Sequence, residues 1–506
     1  MRKIIPRLNP VQEILIFTLY DRIVNQSVIL EMIIIKNYKY RLNFIRSALL
    51  IAAMLLSTFL LFNRPSNAYI WPKYDGYLKV PISDSNISLT PAQEMSYEEL
   101  GLFFAVYDCL FYINDADLVM PNLAEKFETE DQYTRYIIQI NRYAQFHDGS
   151  IMTANDVVSS IKNNLAGFGQ RGQAFENISL IRAIDNHTLE INLKNADPDL
   201  PRKLAYPVCA VVKGDGIERA SGSTRLFHFT GSGPFKIDDV NSQRIRLIRN
   251  EKYHRGRAYL KSIEFQVILS EEDSYLKFAS GKLHLHRVPY KQYGELMRRE
   301  NVNLINRDGK DTIILDFGNS PYRANLIKSL EPDEIVNVVM NHAGRGVKGI
   351  LPDDKTGFLN PESYSNSGLG IENEIVLGYF GDVNLLEPIA KRIETEWESK
   401  GFSVSVMKLD EIPCGICDVV LRIVKTMNQD ADFTWLSTRY SLGAEGKLAD
   451  DIGVFVIPEL KEEAEMIKEM RFFPIARPNV VYALADDLVN FRLLAGCVPD
   501  YWSISL

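Results

Sequence analysis

The feature that most constrains this chain is a change of hydrophobic period along its length. In the first half, apolar residues recur at every second position. Across residues 133–141, Tyr136, Ile138 and Ile140 share one face, which predicts a strand, and Phe146-His147-Asp148-Gly149 then supplies a tight turn. Residues 180–184 and 189–193 alternate about Asp185-Asn186, and residues 235–240 and 244–248 about Asn241-Ser242, so each pair reads as a hairpin. Between these lies one helix signal. The Thr153 hydroxyl can accept from an orphan amide while Asp156 reaches back, and Val157, Val158, Ile161 and Leu165 follow at helical spacing.

In the second half the period lengthens. Residues 375–379 form a short apolar run, and residues 385–400 carry Leu386, Ile389, Ile393 and Trp397 on one helical stripe. Gly401 sits where a left-handed residue ends a helix, and Val404 and Val406 begin another strand. This is a βαβ unit, which crosses right-handedly over a parallel sheet. Two lobes of different texture are expected, and 506 residues exceed the usual size of a single core.

Composition excludes several classes. With 46% apolar and 24% charged residues the chain reads as globular, and its net charge of -8 argues against a nucleic-acid partner, which needs a basic face. Arg41 and Arg46 precede an uncharged apolar run at 47–62, and Ser66-Asn67-Ala68 follows, the basic, apolar and small order of an export signal. Cleavage after Ala68 is expected, with retention of 47–62 as an inner-membrane anchor the alternative. A start site downstream of Met1 accounts for the long stretch ahead of the basic flank. No cysteine lies just after the apolar run, so no lipid-bearing cysteine is expected. Cys414-Gly415-Ile416-Cys417 supplies only two of the four ligands of a structural zinc, and a local disulfide or a pair of buried thiols is expected there. The chain contains no His-Glu-x-x-His and no Gly-x-Ser-x-Gly, and Gly443-Ala444-Glu445-Gly446-Lys447-Leu448 lacks the spacing of a phosphate loop. No catalytic residue, cofactor or metal is expected.

Several segments together resemble the extracellular solute-binding proteins of family 5, the peptide, nickel and opine group. Val106-Tyr107-Asp108-Cys109-Leu110 resembles the family's YEGL, and Pro121-Asn122-Leu123-Ala124-Glu125 its P-x-LAE. The run from Phe146-His147-Asp148-Gly149 to Thr153-Ala154-Asn155-Asp156-Val157-Val158 is similar to FHDGTPLTAEDVV. Gly231-Ser232-Gly233-Pro234-Phe235 resembles GTGPY, Arg249-Asn250-Glu251-Lys252-Tyr253 resembles RNPDYW, and Asp418-Val419-Val420-Leu421 resembles a late YD-x-x-L strand. The resemblance implies an α/β, two-lobe, type II periplasmic-binding-protein fold with an extra hairpin-rich subdomain and a compressed C-terminal lobe. The expected organisation is a leader over 1–68, a lobe I core over 69–105, 197–268 and 472–506, an accessory subdomain over 106–196, and lobe II over 269–471. Hinge strands are expected near residues 265–269 and 471–475.

The resemblance also implies a function: a monomeric periplasmic receptor that captures a peptide-like or other small solute and delivers it to an ABC permease and, through it, to an ATPase. The alternative is a diverged, membrane-anchored scaffold without transport. Aligned outward from Asp418, the family's ligand-facing Trp falls at Val424, and the Asp that pairs with a peptide α-ammonium falls at Met427. A thioether cannot replace a carboxylate opposite a buried ammonium, so ordinary peptides are expected to bind poorly and an uncharged or anionic solute is favoured. Tyr107, Asp430, Asp432 and Trp435 complete the expected ligand-binding set. His284 and His286 point to one side of a strand and with a third ligand could hold nickel or zinc, but two ligands do not make a site. His147 is expected to be a turn or interface histidine. Arg323, Arg345 and Arg422 are candidates for a solute carboxylate.

Overall fold

The computed structural model describes residues 72–93, 95–167, 172, 175–299, 302–317, 322–347, 374–381, 383–410, 417–424, 472–494 and 496–506, with a few isolated positions before residue 72. The apolar run at 47–62, Cys414, the Gly443–Leu448 segment, and the expected site residues Met427, Asp430, Asp432 and Trp435 lie outside the described residues. Residues 72–506 form one compact unit.

This unit begins with strand β1, Gly76–Ile82, and helix α1, Tyr97–Val106. The helix starts where Ser96 accepts from the Glu99 amide and Glu99 reaches back to the Ser96 amide, a reciprocal cap. The accessory layer follows. Strands β2, Ala124–Glu130, and β3, Arg135–Ile140, lead to helix α2, Ala154–Gly167, and then to strands β4, Ile178–Ala183, and β5, Thr188–Leu193. The four strands pair in the order β2-β3-β5-β4. The alternation in β3 puts Tyr136, Ile138 and Ile140 inward, each at most 1% exposed, and each contributes roughly 1.5–3 kcal/mol of burial. The strand begins at Arg135 rather than at residue 133, because Asp131, Gln132 and Tyr133 all take the left-handed conformation that turns the chain back from β2. Helix α2 is capped as expected: the Thr153 amide donates to Asp156 Oδ2 at 2.8 Å.

The chain then enters strands β6, Phe235–Asn241, β7, Arg244–Arg249, and β8, Leu260–Val267, which with β1 form a sheet ordered β1-β8-β7-β6. Helix α3, Glu271–Ala279, strand β9, Leu285–Arg287, helix α4, Tyr290–Leu296, and strand β10, Asn303–Arg307, come next. Beyond them are strand β11, Thr312–Asp316, strand β12, Gly344–Gly346, and the βαβ unit of strand β13, Ile375–Phe380, helix α5, Val383–Ser399, and strand β14, Val404–Lys408. Strand β15, Val419–Val424, strand β16, Phe472–Pro478, and strand β17, Val480–Leu484, complete the set used below.

One sheet is ordered β12-β16-β11-β15-β13-β14, with β13 parallel to both β14 and β15; another is ordered β9-β17-β10. The predicted stripe of α5 is buried against the six-stranded sheet, with Leu386, Ile389, Ile393 and Trp397 all at 0% exposure, and Gly401 ends the helix at φ +92°. A Cβ there would meet a conformation that side chains rarely adopt.

Apolar packing divides among separate cores. The first joins β1, α1 and β8 to the C-terminal residues through Leu78, Phe103, Phe265 and Tyr501, and the second lies in the accessory layer around Tyr136, Val157 and Leu189. The third fills the six-stranded sheet around Ile314, Ile393 and Trp397. The small β9-β17-β10 sheet packs on the first core, because Leu285, Val480, Tyr482 and Leu484 all belong to it. Its opposite face, through Val481 and Ala483, is covered by Tyr293 and Leu296 of α4. The passage from the first core to the third therefore falls at residues 308–311 and 478–479, where β10 runs into β11 and β16 into β17. The expected hinge positions near 265–269 and 471–475 lie elsewhere: Phe265 is fully buried within the first core and pairs with Val80 and Ile245.

Candidate functional site

Because β10 pairs with β17 and β11 with β16, the passage between the cores is a two-stranded ribbon. Gly309 lies at its crossing point, where a Cβ would stand 1.9 Å from the carbonyl oxygen of Pro478. Only a residue without a side chain lets the two strands pass this closely.

Beside the ribbon is a recess whose walls come from both cores. Pro81, Ser83 and Glu98 contribute from the first core, Arg287 to Tyr290 and Asn479 from the ribbon side, and Asn384 and Leu385 from the start of α5, Leu385 being part of the third core. It is partly open to solvent, and its volume of about 110 Å³ is small beside the ~300–1,000 Å³ typical of ligand pockets.

Among the described residues, three charged side chains line this recess: Glu98, Arg287 and Glu271, the last lying 3.7 Å from Lys291. Glu98 is in the first turn of α1 and Arg287 ends β9, and the carboxylate lies 3.8 Å from the guanidinium, beyond hydrogen-bond length. The Arg287 guanidinium stacks over the Tyr97 ring at 4.7 Å, and the Tyr97 hydroxyl donates to Asp311 Oδ2 at 3.1 Å, which ties the ring to the ribbon. Neither Glu98 nor Arg287 makes a side-chain hydrogen bond with any described residue. Sequence reasoning missed both, since nothing local marks two residues this far apart in the chain as neighbours.

The expected site residues fall elsewhere. Tyr107 is 1% exposed, and its hydroxyl accepts from the Phe229 amide at 2.8 Å. Burial pushes its pKa up, so it is a neutral core residue rather than part of a cleft wall. Val424 ends β15 opposite Thr312 with its side chain wholly inside the third core. An aliphatic side chain in a strand between two others turns to whichever face is dry, and here that is the core. Arg422 is also spoken for, donating to Asp316 at 2.6 Å while only 4% of its side chain is exposed.

The histidines serve the scaffold. His284 Nδ1 accepts from the Lys79 amide at 2.9 Å, and His286, 1% exposed, sits between Ser274 Oγ at 2.9 Å and Gln292 Oε1 at 3.2 Å. Among the described residues no group of three or more His, Cys, Asp or Glu is placed to hold a metal. His147 Nε2 donates to the Gly233 carbonyl at 3.0 Å, and burial holds its pKa down at about 4.

The motif segments converge instead on a buried carboxylate. Asp108, 3% exposed, accepts from Asn122 Nδ2 at 2.9 Å, from the Tyr253 hydroxyl at 3.0 Å and from Ser232 Oγ at 3.3 Å. Gly231 and Gly233 close the arrangement, since a Cβ on either would run into the Val106 backbone. Four separated segments thus meet at one point, where the accessory layer joins the first core. None of these residues lines the recess, so the motif segments build the scaffold.

Comparison with known proteins agrees with this architecture. The family of bacterial extracellular solute-binding proteins, family 5 Middle, matches residues 119–412. The oligopeptide-binding protein AppA of Bacillus subtilis (strain 168) is 23% identical over 259 residues, 48% of this chain and 47% of that protein. The glutathione-binding protein GsiB of Escherichia coli O157:H7 is 24% identical over 228 residues, 44% of this chain and 42% of that one. This chain therefore matches about half the length of its curated relatives. Among solved structures, the dipeptide binding protein from Pseudoalteromonas sp. SM9913 in complex with Met-Leu has a TM-score of 0.69 at 13% identity, covering 85% of this chain and 99% of that one. NikA from Brucella suis in complex with Fe(III)-EDTA has a TM-score of 0.68 at 14% identity, covering 85% and 100%. At these identities the likeness concerns fold: a mixed α/β, type II periplasmic-binding-protein architecture.

Proposed function

Because this chain belongs to the bacterial extracellular solute-binding proteins of family 5, a family of receptors rather than enzymes, we propose that it is the extracytoplasmic receptor of an ABC importer. It captures a small solute in the recess beside the ribbon and closes about residues 308–311 and 478–479, and the closed form is what the permease recognises. Asp430, Asp432 and Trp435, which lie outside the described residues, are proposed to contact the solute. The observation that carries this reading is the recess itself, whose walls come from two separately packed cores joined by two strands. A solute touching both walls favours the state in which both contacts are made, by its differential affinity for that state.

Among the described residues no helix is long and apolar enough to cross a membrane. We propose export into the periplasm, with cleavage after Ala68. Native mass spectrometry of protein purified from its own host tests the receptor reading. One co-purifying small molecule, lost on partial unfolding, is expected. A bare protein mass, together with no binding from the small-molecule fraction of the host, would remove its support.

A further inference from the structure

We propose that Glu98 and Arg287 together select the solute, and that the solute carries an amine and a carboxylate on the same carbon, as in the head group of an α-amino acid. This rests on the receptor reading and names the chemistry that the recess accepts.

Three observations carry it. Both charged groups line the recess, with side-chain exposures of 16% for Glu98 and 36% for Arg287, so neither is a freely solvated surface charge. They are opposite in sign and 3.8 Å apart, close enough to hold each other in place and too far to satisfy each other. Neither makes a side-chain hydrogen bond with a described residue, so five guanidinium donors and the carboxylate lone pairs remain for another molecule. The stacking of Arg287 on Tyr97, itself held by Asp311, fixes the fork in advance, which lowers the ordering cost of binding.

The complement of such a pair is specific. A purely anionic solute would meet repulsion from Glu98 and from Glu271, which lines the same recess, and a purely cationic one would meet it from Arg287. A molecule with an ammonium beside a carboxylate satisfies both: its ammonium donates to Glu98, and its carboxylate accepts from Arg287 in a charge-assisted, bidentate contact. The recess volume of about 110 Å³ suits one such head group. The start of α5, at Asn384 and Leu385, forms the facing wall from the third core, and the partial positive charge of a helix N-terminus adds attraction for the solute carboxylate on closure. This differs from the uncharged or anionic solute expected from the sequence, because the charge partners come from a wall that sequence reasoning did not identify.

The test is calorimetric titration of the mature protein with free α-amino acids, each alongside its N-acetylated and C-amidated forms. At least one free form is expected to bind, with either blocking group weakening it ten-fold or more. Arg287→Gln should weaken the free form ten-fold or more and remove the penalty for C-amidation, while Glu98→Gln should do the same for N-acetylation. That crossed pattern reads direct contact, which a general loss of folding cannot imitate. Blocked forms that bind the wild-type protein as well as the free forms would overturn the proposal even if a variant failed to fold, while leaving the receptor reading intact. Binding of no member of the set would also overturn it, and the receptor reading would then stand or fall on the co-purifying molecule.

Discussion

Replacing Asp108 by alanine removes the one acceptor shared by Asn122, Tyr253 and Ser232, whose donors lie at 2.9, 3.0 and 3.3 Å. All three segments are buried at the junction of the accessory layer and the first core, so water cannot replace the lost carboxylate without opening the junction. Each orphaned donor costs about 1–3 kcal/mol, partly offset because the burial cost of the carboxyl group itself disappears. With three donors orphaned, the net expected loss is about 3–5 kcal/mol. Asp108→Asn keeps an acceptor oxygen for Asn122 and Tyr253 and reverses only the side facing Ser232, so it should lose about 1–2 kcal/mol, roughly the cost of one misdirected bond. Urea unfolding followed by far-ultraviolet circular dichroism measures both, with amide exchange showing whether the accessory layer opens first. Solute affinity of the asparagine variant should stay within two-fold of the native value. Losses below about 0.5 kcal/mol in both variants, at the level of ordinary surface substitutions, would refute the claim that the motif segments are tied together at this carboxylate.

Two further predictions follow from the ribbon and from the enclosed histidine. Gly309→Ala places a Cβ against the Pro478 carbonyl, so the strands must part; a loss of about 1–3 kcal/mol in urea unfolding, together with altered solute affinity, is expected, and an unchanged protein on both counts would contradict the crossing geometry. His147 has a pKa near 4 in the folded protein because burial disfavours the imidazolium, and near 6.5 when unfolded. As pH falls the unfolded chain takes up this proton first, so the stability gained from the neutral ring is complete above about pH 6.5 and is lost between about 6.5 and 4. His147→Gln should flatten that part of the stability profile, and an identical profile for both proteins would count against it.

Local pattern carried much of the architecture. The alternating stripe of β3, the Thr153–Asp156 cap and the apolar stripe of α5 each involve residues only a few positions apart, and the hydrophobic period or a single cap decides them. The Asp185–Asn186 turn is local too, with the His187 amide donating to Asp185 Oδ1 at 2.7 Å. The recess was not legible, because Glu98 and Arg287 meet only after a small sheet has packed on the first core. That same packing moved the passage between cores to residues 308–311 and 478–479. Tyr107 and Val424 were misplaced because a tyrosine or a valine suits a ligand wall and a core equally well, and only burial separates the two.

A solute is expected to draw the first and third cores together about the ribbon, and small-angle X-ray scattering of the full mature protein with and without its co-purifying solute measures this closure. A smaller radius of gyration at saturation and a return to the larger value when the solute is removed are expected; the same radius in both states, with binding confirmed in the same sample, would rule closure out.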